Sequence, residues 1–146
     1  MKYGFYGWEG ANVPPLHGED FPGIANPRDL YARLMEVWSA DTCAPRMRGA
    51  WAGEHPSFGQ CSVTAFLAQD IFGGEVLGVP LPDGNFHCFN RVGGCVFDLT
   101  SEQFRQALSY EACPVQSRAA HFAKQEKYER YLLLRERVKE MPPAAE

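Results

Sequence analysis

The sequence has no basic block, no apolar run approaching the length of a bilayer, no C-x-x-C pair, no internal repeat and no low-complexity tract. Each gap removes a class of function. A net charge of −4 without a cationic stripe argues against nucleic acid or an anionic membrane as the main partner. Without about 20 consecutive apolar residues no membrane-spanning helix is expected. Met1 to Trp8 also lacks the apolar core of a signal peptide, so the expected compartment is the reducing cytoplasm. The five cysteines, at 43, 61, 88, 95 and 113, form an odd, irregular set. They read as free thiols, with no metal site and no cofactor.

What is present is the composition of a folded globular chain: 146 residues, 45% apolar and 22% charged. A chain of this size buries about 70% of the surface it exposes when unfolded. The reading is one α+β domain over residues 1–141, with an irregular arm at 1–25 and a frayed tail at 142–146. Asn26-Pro27 supplies an N-cap and N1 proline for a helix to about Trp38. Pro45, Gly49, Gly53 and Pro56 then interrupt every period and make a long loop.

Residues 60–72 place apolar side chains on two sides before Gly73-Gly74 stops them, the pattern of a buried helix. Small residues after Cys61 let another element approach that face, and the expected element is a sheet. Strands are predicted at 75–81, 85–92 and 95–99, the last two joined by Gly93-Gly94. If those glycines are the loop, Val92 pairs with Cys95. His87, Phe89, Asp98 and Thr100 then share one face, and Cys88, Val92, Cys95, Phe97 and Leu99 the other. Thr100 to Gln103 has capping-box spacing and predicts a short helix through Leu108. Ser117 to about Lys139 reads as one long C-terminal helix with a solvated charged face.

A thiol at a helix N-terminus sits where partial positive charge favours the thiolate. Cys61 is in that place, and His87 and Asp98 on adjacent strands supply a base and its orienter. The Cys61 backbone N–H, unpaired at the helix start, is one oxyanion donor. Gln60, Trp51 or Trp38 is the second, the sequence leaving the choice open, and Asn90 is a further substrate-support candidate. Cys88 and Cys95 read as core, and His17, His55 and His121 as surface or loop.

The run Gly59-Gln60-Cys61-Ser62-Val63-Thr64-Ala65 resembles the G-Q-C-x-V-x-A nucleophile segment of transglutaminase-like, papain-like cysteine enzymes. Asn85 to Asn90 is similar to that family's N-F-H-x-W-N strand, and Gly93 to Thr100 to its G-G-W-x-V-x-D-x-T strand. The resemblance covers about residues 58–104 and implies a papain-like/transglutaminase-like core. Cys61 is then the nucleophile, His87 the base and Asp98 the third member. Phe89 stands where that family has Trp. The short connection from His87 to Asp98 favours hydrolysis or deamidation over cross-linking, and no calcium site is implied. Residues 51–104 also resemble the small bacterial YunG-like proteins, with their G-Q-C-x-x-T-A helix, H-x-W-N strand and D-L-T-S-x-Q-F segment.

The expected function is thiol-dependent acyl transfer or hydrolysis on a peptide, protein or small amide substrate. The alternatives are a non-catalytic binding module, self-associating through the C-terminal helix, and acyl transfer to a small-molecule amine. Oligomeric state is not legible in the sequence.

Overall fold

The computed structural model describes residues 5–104 and 108–140. The first helix, α1, spans Pro27–Val37. Asn26 begins it by accepting the Asp29 N–H at 3.0 Å, with Pro27 in the first turn where its missing N–H costs nothing. Leu30 and Leu34 leave the solvent entirely. The following loop is pinned by 3-10 turns at Ala40–Thr42 and Pro45–Ala50 and leads to α2, Cys61–Phe72. In α2, Val63 to Ala68, Ile71 and Phe72 are all buried, as expected of a helix apolar on two sides.

Strands β1 (Glu75–Pro80), β2 (Phe86–Val92) and β3 (Cys95–Phe97) form an antiparallel sheet in the order β1-β2-β3. Val92 pairs with Cys95 across Gly93-Gly94, the register the two-glycine turn predicts, and Gly93 takes φ +60°. One sheet face carries Val76, Cys88 and Phe97 into the main core beneath α2. The other carries Leu77, Val79 and Phe89 into a smaller cluster closed by Val96, Leu108 and Tyr110. The face predicted to be polar is therefore mixed, and segment 108–113 covers it.

Four expectations need correction. The third strand ends at Phe97 rather than Leu99, because Asp98 turns to the N-terminal arm and donates its N–H to the Tyr6 carbonyl at 2.9 Å. The arm thus borders the sheet. The predicted capping box at Thr100 does not form; Ser101–Gln103 is a single 3-10 turn without a side-chain cap, since the Thr100 hydroxyl is used by Asp98. Arg105 to Ala107, part of the helix predicted there, lie outside the described residues, as does the tail at 142–146.

The long C-terminal helix is two helices, α3 (Arg118–Phe122) and α4 (Gln125–Glu140). In one continuous helix Phe122 and Tyr131 would stand about 13 Å apart along the axis. The break folds α3 back and brings their rings to 4.7 Å, with the Arg118 guanidinium over both. Nor is its charged face wholly solvated: buried Arg130 donates to the Thr42 carbonyl at 3.0 Å. Tyr131, Leu134 and Val138 of α4 turn into the main core, so its apolar stripe is already used within the chain. Among the described residues no helix is long and apolar enough to cross a membrane.

Candidate active site

The start of α2 is fixed by a turn held from three directions. Gln60 N–H donates to the Ser57 carbonyl (3.2 Å), Ala44 N–H to the Gly59 carbonyl (2.9 Å), and Gly59 N–H to Gln103 Oε1 (3.1 Å). Gly59 has φ +73°, and a Cβ there would run into the Cys43 sulfur, so glycine is required twice over. No side chain caps α2, and its first helical bond runs from Thr64 N–H to the Gln60 carbonyl. The N–H groups of Cys61, Ser62 and Val63 thus stay available at the positive end of the helix.

Facing this start, His87 lies at the head of β2 and Asp98 just past the end of β3. His87 Nε2–H donates to Asp98 Oδ2 at 2.6 Å, and both residues are buried. Three further donors surround the carboxylate. Tyr110 O–H reaches the same Oδ2 at 2.6 Å, while the Thr100 N–H and hydroxyl reach Oδ1 at 3.1 and 3.3 Å. The Tyr110 ring is held by stacking on Tyr6 (4.1 Å) and by its edge contact with Phe89 (4.9 Å). Phe104 packs edgewise on the imidazole at 4.7 Å. With Nε2 committed to Asp98, the remaining ring nitrogen, Nδ1, is buried without a regular hydrogen bond.

The half-buried Cys61 thiol interacts with the next two residues of β2 in turn. Donation from the Cys88 thiol lowers its pKa most, against the opposing effect of burial; the His87 ring and the Cys88 N–H lower it further, leaving it well below the ordinary thiol value. Cys88 is pushed well up by the same thiol–thiol hydrogen bond and by burial. Burial would pull the imidazole down, but the bond to Asp98, the contact with Cys61 and the charges of both raise His87 to about 10. Burial and the Asp98 charge likewise push Tyr110 up, so it stays a neutral donor. Both shifts run in the direction that favours moving the proton from Cys61 to His87.

The structure brings Cys61, His87 and Asp98 together and disperses the other predicted site residues. Gln60 is fully buried with Nε2 donating to the Ser39 carbonyl at 3.0 Å. Trp51 Nε1–H donates to the Pro56 carbonyl (3.1 Å) and Trp38 Nε1–H to Thr64 Oγ1 (2.9 Å). Asn90 donates to the Ala65 carbonyl at 2.9 Å and ties β2 to α2. These four amides and indoles hold the framework rather than open donors. Sequence reasoning missed a site role for Tyr110, Gln103 and Phe104, read Thr100 as a helix cap, and assigned Cys88 to the core alone. Thr100 and Phe89 were legible from alternation; Gln103 was read only as part of a capping box and of the D-L-T-S-x-Q-F segment, and Tyr110 sits in a segment without a period and gave no signal.

Two other assignments change. Cys95 is half-buried at the arm, its thiol donating to the Gly10 carbonyl at 3.0 Å. His121 is half-buried, accepting at Nδ1 from Lys127 (2.8 Å) and donating from Nε2 to Gln116 (3.0 Å). Burial and the Lys127 charge lower it to about 4, and it feels the charge of Cys61. All five cysteines are free. Among the described residues no group of three or more His, Cys, Asp or Glu is placed to hold a metal.

Residues 26–142 match the YunG protein family, a span that contains the whole Cys61, His87 and Asp98 constellation. The chain belongs to the YunG family. It is 41% identical over 103 residues to the uncharacterized protein YunG of Bacillus subtilis (strain 168), covering 70% of this chain and 83% of that one. No solved structure matches it. In this YunG chain the family match begins at the N-cap of α1, so the arm that carries Tyr6 to Asp98 lies outside it.

Proposed function

We propose that the protein is a thiol-dependent acyl-transfer enzyme acting on an amide, with Cys61, His87 and Asp98 as a triad on a papain-like or transglutaminase-like arrangement of helix and sheet. The observation that carries the reading is the buried imidazole bound through Nε2 to a four-donor carboxylate, with Nδ1 left without a partner among the described residues and the ring interacting with a thiol at an uncapped helix start. A buried carboxylate fixes the ring's tautomer, so Nδ1 is the nitrogen that exchanges a proton with sulfur and leaving group.

In the reaction, the Cys61 thiolate adds to the amide carbonyl carbon and the C=O electron pair moves onto oxygen. The Cys61 N–H stabilises that oxyanion. Collapse re-forms the carbonyl as the C–N bond breaks, and the His87 Nδ1 proton passes to the departing nitrogen. Water then attacks the thioester, His87 accepts its proton, and the carboxylic acid leaves with the thiolate restored. The substrate is a peptide bond or a glutamine-like side chain. Hydrolysis or deamidation is favoured by the eleven-residue separation of His87 and Asp98, which leaves no insertion to shape an amine-acceptor site.

Alkylation with iodoacetamide near neutral pH tests the reading. Cys61 should react faster than the other four thiols, because near neutral pH a larger fraction of it is thiolate. His87→Ala should remove most of that advantage. Equal labelling of all five cysteines would sink the proposal.

A further inference from the structure

We infer that Gln103 supplies the second oxyanion donor, its side-chain amide joining the Cys61 backbone N–H at the carbonyl oxygen of the substrate. The inference rests on the acyl-transfer reading and extends it to a residue that the sequence did not suggest. Gly59 N–H donates to the Gln103 carboxamide, which fixes Oε1 at that position and leaves Nε2 pointing away from it. Nε2 is closed to solvent and has no hydrogen-bond partner among the described residues. A buried amide donor without an acceptor is destabilising, so its retention calls for a reason.

Its surroundings supply one. Gly59 stands two residues before the nucleophile, in the turn that presents the Cys61 N–H, and Phe104, next in sequence, lies against the His87 ring. The amide is thus tethered to the nucleophile's turn, and the residue after it packs on the base. The other candidates are committed to framework carbonyls or hydroxyls, namely Gln60, Trp51, Trp38 and Asn90. A donor held dry before the reaction stabilises developing charge without reorganising, which is the condition under which an oxyanion hole works best.

The test compares two reactions at the same sulfur. Acylation of Cys61 by p-nitrophenyl acetate passes through a tetrahedral oxyanion; alkylation by iodoacetamide displaces iodide and forms none. Both are followed by mass spectrometry of the Cys61 peptide. In Gln103→Leu the ratio of acylation to alkylation rate should fall about 100-fold, the usual effect of losing one oxyanion donor. Gln103→Glu keeps an acceptor for Gly59 N–H and loses the donor, so the ratio should fall there too, which separates the donor's effect from damage to the turn. An unchanged ratio in either folded variant overturns the assignment of Gln103 and leaves the triad standing. A wild-type protein alkylated rapidly at Cys61 but never acylated there overturns the acyl-transfer reading, and this inference with it.

Discussion

The two sides of the His87 ring are built to opposite rules. On the Asp98 side every polar atom is matched: one carboxylate receives the imidazole, a phenol, a hydroxyl and a backbone N–H. On the Cys61 side the matches run out. Of the four buried side-chain polar atoms without a partner among the described residues, three belong to Gln60, Gln103 and His87 itself, all at or beside the turn that carries the nucleophile. Native chains leave few such atoms, and where they gather the arrangement serves something other than stability. The satisfied side holds the ring; the unsatisfied side offers the Gln103 donor, the Gln60 acceptor and an imidazole nitrogen to whatever enters.

If that contrast is right, damage to the two sides has different signatures. Asp98→Ala should give the largest loss of stability, about 3–5 kcal/mol, because it strands the buried imidazole and the donors around it. Denaturant unfolding measures it. Cys61→Ser should abolish the fast alkylation at that position while shifting stability, in the same unfolding experiment, by well under that amount. A comparable loss of stability in both variants would erase the distinction between the two sides.

Tyr110→Phe comes next in size. It deletes one donor to a charged group and keeps the ring against Tyr6 and Phe89, so the expected cost is about 1.5–3 kcal/mol. Because the Asp98 charge raises His87, the reactivity of Cys61 should change little if the other three donors hold the carboxylate in place. A large fall in alkylation rate with unchanged stability would instead put Tyr110 on the reacting side.

How much of this was legible in the sequence follows from which contacts are periodic. The α2 boundary came from its apolar spacing and the two glycines that end it. The meeting of His87 and Asp98 came from the Gly93-Gly94 turn, since a two-residue loop fixes register and register fixes faces. Contacts made by aperiodic segments were closed to such reasoning. Tyr6 reaches Asp98 from an arm without strand alternation, and Tyr110 and Gln103 arrive on either side of residues 105–107. The pairing of Cys88 with Cys61 was missed for a different reason. Alternation correctly put Cys88 on the core face, and nothing in its apolar neighbours signals that the helix start lies on the same spot. The break between α3 and α4 was hidden as well, because it depends on rings nine residues apart meeting across a fold-back.

The smallest effect is a change of slope, and it tests the ion pair itself. Folding raises His87 from 6.5 to about 10, so its contribution to stability is fully present below about pH 6.5 and is lost as pH rises toward 10. Folding lowers Cys61 from 9.0, so its contribution is present above about pH 9 and is lost as pH falls through the lowered value. Where the pH lies above both 6.5 and the lowered Cys61 value and below 9, the two slopes are equal and opposite: the folded pair carries one proton on nitrogen, and the unfolded chain carries one on sulfur. The pair therefore adds no pH dependence in that window. Cys61→Ala removes only the sulfur's half of the balance, leaving His87 raised by Asp98 alone. Its unfolding free energy should then fall relative to wild type by about 1.4 kcal/mol per pH unit from pH 6.5 upward, until the variant's own imidazole value is reached. Parallel pH profiles for the two proteins would mean that the proton rests on Cys61 in the folded state, and the contrast between a fixed side and a reactive side would lose its electrostatic basis.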